Sequence, residues 1–176
     1  MLRYFVVLLI LLSGTTYAQT FDNYTIENSE LPNNHINDIE IDKQNTKWIA
    51  SDGDFASLND AGDWTVYTHK DAWLEKISCI AIDDKGHKWL ASYKDGVSLI
   101  ELGTKGEVIK RHELPNFENK EYYIRYIAID KKGRKWLSTQ EENIWVLGTN
   151  GKWSSFRIEH VIKEEEPTVI TSIIAD

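Results

Sequence analysis

The chain has 176 residues, with 28 Asp and Glu against 20 Lys and Arg, a formal net charge of −8 and a single cysteine. An acidic surface repels phosphate backbones, so the composition argues against nucleic acid as a partner. One cysteine excludes an intrachain disulfide, and Cys79 lies in the apolar run ISCIAI, which predicts a buried, unreactive thiol.

The first 18 residues predict a cleavable signal peptide. Arg3 precedes an apolar run over residues 5–12, and small polar residues then lead to Ala18. A run of this length is too short for a hydrocarbon core of about 30 Å, whereas this order of regions is what a signal peptidase recognises. We expect cleavage after Ala18, a periplasmic or secreted protein, and no membrane span in the mature chain.

Three related decamers follow: IEIDKQNTKW at 39–48, IAIDDKGHKW at 80–89 and IAIDKKGRKW at 127–136. A motif that recurs at the interval between these decamers is typical of solenoid and propeller repeats. Each decamer predicts a strand, a tight turn that Asp opens and Gly or Asn closes at positive φ, and a second strand. The recurrent tryptophans predict packing wedges between sheets. The predicted structural residues are Asp42, Trp48, Asp83, Gly86, Trp89, Asp130, Gly133 and Trp136.

Two more strands follow each decamer, and a Gly-containing turn separates them. Four short antiparallel strands per unit predict an all-β fold, a partial, open β-propeller of about three four-stranded blades with a single strand at each end. The predicted segments are the last strand of an incomplete blade at 19–30, blade 1 at 31–68, blade 2 at 69–113, blade 3 at 114–160, and the first strand of a further blade at 161–176.

Three blades do not close a ring, which normally takes about 4–8 blades. Two explanations are open. Either the chain is a truncated reading frame or fragment of a longer sensor, or two or more copies complete a ring. In both cases the expected partners are further propeller blades, from the same or another chain.

At these residues the chain resembles the two-component regulator propeller repeat. Residues 31–42 match the opening of that repeat, Leu114 and Pro115 match its Leu-Pro again, and residues 89–92 followed by Gly96 match its second half. The resemblance covers residues 21–176. It implies the extracytoplasmic sensor propeller of a hybrid histidine kinase, a class that detects glycan fragments and signals through a membrane kinase.

Three lysines depart from the family pattern. Lys47, Lys88 and Lys135 stand where the family commonly has an apolar residue before the tryptophan. Ala50, Ala91 and Ser138 replace a usual glycine in the second half of the repeat, which indicates a divergent member.

Long, dissimilar loops on one face of the predicted blades are the expected binding region, because binding residues concentrate on variable loops of a rigid scaffold. Their aromatic and acidic side chains suit stacking on sugar rings and hydrogen bonding to hydroxyls, although the aromatics have an equally good alternative in packing under their own loops. The candidate ligand-binding residues are Trp73, Tyr93, Asp95, Tyr122 and Tyr123.

No pattern of nucleophile and base, and no set of metal ligands, is visible in the sequence. We therefore expect no catalytic residue, no cofactor and no metal. The first hypothesis is a non-catalytic sensor propeller that binds a glycan or oligosaccharide. The alternatives are a propeller lyase or hydrolase that acts on polysaccharide, and a self-assembling interaction scaffold.

Overall fold

A computed structural model describes residues 21–68, 73–93, 96–115, 123–139 and 143–157. Within these residues the chain forms twelve strands and no helix. The strands are β1 (Ile36–Ile41), β2 (Lys47–Ser51), β3 (Phe55–Leu58), β4 (Trp64–Tyr67), β5 (Ile77–Ile82), β6 (Lys88–Ser92), β7 (Ser98–Leu102), β8 (Val108–Glu113), β9 (Ile124–Ile129), β10 (Lys135–Thr139), β11 (Asn143–Leu147) and β12 (Trp153–Arg157).

The strands form three four-stranded antiparallel sheets, and in each sheet the strands pair in chain order. Sheet 1 contains β1 to β4, sheet 2 contains β5 to β8, and sheet 3 contains β9 to β12. This is the up-and-down arrangement of a propeller blade. The predicted fold class, an all-β partial propeller, is confirmed.

The turn between the first two strands has the same structure in every sheet. Asn45, Gly86 and Gly133 have φ values of 61°, 82° and 75°. A side chain is strained at such φ values, and glycine and asparagine tolerate them best. The positive φ that the sequence predicts at these three positions is confirmed.

An aspartate at the start of each turn joins the turn to the tryptophan of the second strand. The indole Nε1–H of Trp48 donates to Asp42 at 2.8 Å, that of Trp89 to Asp83 at 3.2 Å, and that of Trp136 to Asp130 at 3.0 Å. The other oxygen of each carboxylate accepts backbone N–H groups of the turn. Each aspartate therefore stabilises the turn and fixes the tryptophan beside it, which together form the corner of the sheet.

The first strands of the three sheets lie side by side, so that β5 packs between β1 and β9. One buried cluster fills the space between sheets 1 and 2, and a second fills the space between sheets 2 and 3. Trp48 belongs to the first cluster and Trp89 to the second, where they are 3% and 4% exposed. Trp136 is partly exposed.

The structure differs from the prediction at residues 19–30, where a strand was expected. Residues 21–30 form no strand, and the backbone N–H groups of Asn28 and Ser29 instead close a turn onto the carbonyl oxygen of Thr25. A strand needs a hydrogen-bonded neighbour, and no described strand pairs with this segment. The other blade limits stay predictions, and the signal peptide at 1–18 and the strand at 161–176 lie outside the described residues. No described segment forms a helix that could span a membrane.

Candidate functional site

A cavity of about 400 Å³ lies at the edge of the sheets where the first strands begin. Its walls come from all three sheets and from the loops that enter and leave them. The lining residues are His35, Asn37, Asp52, Ser78, Tyr93, Tyr123, Arg125 and Tyr126.

Three of these residues occupy the same position in successive sheets, the second residue of the first strand. Asn37 Nδ2 donates to the carbonyl oxygen of Ile77 at 2.8 Å, and Ser78 Oγ donates to that of Ile124 at 2.6 Å. Each therefore links its own first strand to the first strand of the next sheet. Arg125 holds the third equivalent position, and its guanidinium lies 5.5 Å from the ring centroid of Tyr123.

Asp52 is the centre of the hydrogen bonding in the cavity. Its Oδ1 accepts from Asn37 Nδ2 at 2.9 Å and from the Tyr93 hydroxyl at 2.8 Å, and its Oδ2 lies 2.9 Å from His35 Nδ1. The Asn37 amide, followed by the Tyr93 hydroxyl, lowers the pKa of Asp52 below its ordinary value of 3.8. The carboxylate is thus charged and already bound on both oxygens.

Tyrosine rings form the apolar part of the wall. The rings of Tyr93 and Tyr123 lie 5.9 Å apart at an angle of 46°, and Lys76 Nζ lies 5.9 Å from the Tyr93 centroid. Burial, together with the hydrogen bond to Asp52, raises the pKa of Tyr93 to about 12. The hydroxyl therefore stays protonated and continues to donate to Asp52 at any physiological pH.

Two of the five candidate residues, Tyr93 and Tyr123, come together in this cavity. Trp73 does not line it. Its ring packs against the core cluster between sheets 1 and 2, with the Arg111 guanidinium 5.6 Å from its centroid. Asp95 and Tyr122 lie outside the described residues. Ligand binding by these side chains stays a prediction.

Sequence reasoning missed most of the polar side chains in the cavity. The signal that would have found them is the alignment of the repeats themselves. Asn37, Ser78 and Arg125 share one register position, and Asp52 and Tyr93 each follow the last residue of the second strand. When the start of the first strand is polar in every repeat, these side chains are expected to line a common cavity.

A second cleft, of about 510 Å³, lies between sheets 2 and 3 beside the tight turns. Glu101 connects two histidines there, with Oε1 3.1 Å from His87 Nδ1 and Oε2 3.5 Å from His112 Nε2. Burial lowers the pKa of His112, which leaves its ring neutral at neutral pH. Among the described residues, no group of three His, Cys, Asp or Glu side chains is arranged to hold a metal ion.

No protein-family model and no curated protein matches the sequence. Solved structures do match. Virginiamycin B lyase from Staphylococcus aureus is 18% identical, with a TM-score of 0.60 over 72% of this chain and 42% of the lyase.

Extracellular domains of two systems from B. thetaiotaomicron match as well. That of the hybrid two-component system BT3049 is 24% identical, with a TM-score of 0.59 over 78% of this chain and 19% of the domain. That of BT4673 is 15% identical, with a TM-score of 0.58 over 82% of this chain and 19% of the domain. The chain thus spans about two fifths of the lyase and about one fifth of each sensor domain.

The matches to lyases correct one prediction. The sequence indicated that the chain is not an enzyme, and that prediction is wrong, because the solved structures that share its fold include virginiamycin and streptogramin B lyases. An absence of familiar catalytic motifs was too weak a basis for it.

The resemblance to two-component sensor propellers is confirmed at the level of the fold by the BT3049 and BT4673 domains. The chain therefore consists of propeller blades of a kind found both in extracellular sensor domains and in lyases.

Proposed function

We propose that the chain is a ligand-binding part of an extracytoplasmic sensor propeller and that the cavity at the start of the first strands binds a glycan fragment. The observation that carries the proposal is the composition of that cavity, in which tyrosine rings stand beside amide, carboxylate, hydroxyl and guanidinium groups. An extracytoplasmic location is supported by the expected signal peptide and by the extracellular sensor domains that share the fold.

The size and chemistry of the cavity suit a short saccharide. Its volume of about 400 Å³ lies within the range of about 300–1,000 Å³ that is usual for small-molecule sites. Sugar rings present apolar C–H faces that stack on tyrosine and hydroxyl groups that need several hydrogen-bond partners. Tyr123 and Tyr126 supply the first kind of contact, and His35 and Ser78 supply the second.

The test is isothermal titration calorimetry of the mature chain against a library of plant and host oligosaccharides. For a saccharide that binds, Tyr123→Ala should weaken the affinity at least about fivefold, because stacking of a ring on an aromatic face contributes about 1–3 kcal/mol in related aromatic sites. Tyr24→Ala is the matched control, since Tyr24 packs edge-on against Trp64, away from the cavity.

The proposal fails if no saccharide binds, or if Tyr24→Ala and Tyr123→Ala weaken binding equally. Circular dichroism of both variants establishes that each is folded, so that a loss of binding is a loss at the site.

A second candidate function is chemistry on the bound ligand, and the fold match to a lyase favours it. The paired His35 and Asp52 side chains are groups that can accept and donate protons. Incubation of any binding oligosaccharide with the chain, followed by mass spectrometry of the products, tests this function. Turnover that disappears in His35→Ala would establish it, and an unchanged ligand after prolonged incubation would exclude it.

A further inference from the structure

One charged side chain of the cavity, that of Arg125, has no oppositely charged partner among the described residues. Of the described residues that line it, Arg125 alone carries a permanent positive charge. Its Nε is buried and has no hydrogen-bond partner, and no carboxylate of the described chain lies within ion-pair distance of it. The one carboxylate of the wall, Asp52, is already bound to Asn37, Tyr93 and His35.

Arg125 also departs from the structural role of its equivalents. Asn37 and Ser78 use short side chains to donate to the first strand of the next sheet. At the third position the Arg125 guanidinium instead lies over the Tyr123 ring. That ring in turn contacts the ring of Tyr93 from the neighbouring sheet. The positive charge is therefore held beside the tyrosines of the cavity.

We propose that the ligand of this cavity is acidic and that Arg125 binds the carboxylate of a uronic-acid-containing oligosaccharide. This inference rests on the proposed glycan binding and names the chemical class of the glycan. A guanidinium presents parallel N–H groups that match the two oxygens of a carboxylate, and its contact with the Tyr123 ring, 5.5 Å from the centroid, keeps it at the cavity wall. The tyrosines supply the face on which the adjoining sugar ring stacks.

The experiment uses the mature chain and pairs of ligands that differ only in charge. Trisaccharides of galacturonate, glucuronate and mannuronate are each compared with their methyl esters by calorimetry. The wild-type chain should bind at least one free acid at least about tenfold more tightly than its ester, which is the contribution expected of a charge-assisted hydrogen bond. Arg125→Gln should bring the acid to the affinity of the ester and leave the ester unchanged.

Arg111→Gln is the matched control. Arg111 also has a buried Nε without a hydrogen-bond partner and also lies over an aromatic ring, that of Trp73, but it does not line the cavity. This variant should keep the preference for the acid. Thermal unfolding of both variants separates a folding defect from a binding defect, and the ¹⁵Nε–¹Hε resonance of Arg125 should shift on titration with the acid and not with the ester.

The outcomes separate the two proposals. If acid and ester bind equally, or if Arg125→Gln keeps the preference, the inference is overturned while glycan binding stands. If Arg125→Gln lowers stability but leaves the preference intact, Arg125 is a structural residue and the inference is again overturned. If no acidic or neutral saccharide binds, the proposed function itself fails, and the inference fails with it.

Discussion

The tryptophans at the corners of the three sheets have the same local structure and different surroundings. Trp48 is covered by Lys88 of the next sheet, whose Nζ lies 3.9 Å from the ring centroid, and Trp89 is covered by Lys135 at 3.7 Å. Trp136 is covered by its own turn, where the Arg134 guanidinium lies 5.0 Å from the centroid. The first two rings are buried and the third is partly exposed.

The difference shows which part of the repeat is local and which part is made by neighbours. The hydrogen bond from indole to aspartate forms in all three sheets, because its partners are six residues apart in one hairpin. For Trp48 and Trp89 the cover over the ring comes from the following sheet. Lys88 and Lys135 are therefore residues of the contact between sheets, each on the opposite side of the strand from the tryptophan that follows it.

The largest expected effect is the difference in the free energy of unfolding lost when the buried Trp89 or the partly exposed Trp136 is removed. Trp89→Ala should lower the free energy of unfolding by about 3–5 kcal/mol, because it leaves a cavity in a closed core. Trp136→Ala should cost about 1–2 kcal/mol, since less of its surface is removed from water. Urea denaturation measures both, and Trp89→Phe serves if the alanine variant does not fold. Equal losses at the two positions would show that burial does not distinguish the corners.

Lowering the pH should have a smaller effect on the free energy of unfolding. Burial alone would raise the pKa of Asp130, but hydrogen bonds from Trp136 and Arg134 outweigh burial and hold that pKa at about 2, below the ordinary 3.8. A carboxyl group with a lowered folded-state pKa stabilises the fold above its unfolded pKa, and this stabilisation disappears as the pH falls through the folded value. The free energy of unfolding should therefore fall between about pH 4 and pH 2.

Asp130→Asn isolates this contribution. It should cost about 1.5–3 kcal/mol at neutral pH, the value of a hydrogen bond to a charged group, and should reduce the acid dependence. Asp42→Asn is the control, because Thr46 stands at the position equivalent to Arg134 and no arginine of the described residues pairs with Asp42. Urea denaturation at several pH values would contradict the assignment if the two variants lost the same acid dependence.

The smallest effect is the coupling between each lysine and the ring that it covers. Lys88 is 1% exposed and donates to the carbonyl oxygen of Thr104 at 2.7 Å, whereas Lys135 is partly exposed. A cation over an aromatic ring contributes more when water is excluded, so double-mutant cycles should give about 2 kcal/mol for Lys88 with Trp48 and about 0.5–1 kcal/mol for Lys135 with Trp89.

The cycles use Lys→Met and Trp→Leu substitutions and urea denaturation. Lys47→Met combined with Trp48→Leu is the control, since Lys47 lies on the other side of the strand and pairs with Asp60. That pair should show no coupling. Similar coupling energies for Lys88 and Lys135 would mean that exclusion of water does not set the strength of the contact.

The corners could be predicted from the sequence because every interaction in them is short-range. An aspartate, a residue that tolerates positive φ and a tryptophan recur at fixed spacing, and they contact one another within one hairpin. Lys88 and Lys135 were recognised only as departures from the family pattern, because the ring that each covers lies in another repeat, 40 and 46 residues away in the chain.

The candidate site could be predicted only in part, for the same reason. Tyr93 and Tyr123 were chosen from aromatic loops, but Asn37, Ser78 and Arg125 belong to strands, and only the packing of one sheet beside the next brings them to a common wall. Trp73 was chosen by the same criterion as Tyr93, and its ring packs in the core between sheets. Composition of a loop does not tell in which direction its aromatic side chains point.

The equivalent positions of Asn37, Ser78 and Arg125 place one different side chain per repeat along the cavity, apart from the hairpins that hold each sheet together. Asn37 and Ser78 also link neighbouring first strands, whereas the corners hold each hairpin from within, so an exchange at these positions alters the contact between sheets and leaves the corners intact. Under the proposed glycan binding, each added repeat would bring one new ligand contact together with the hairpins that support it.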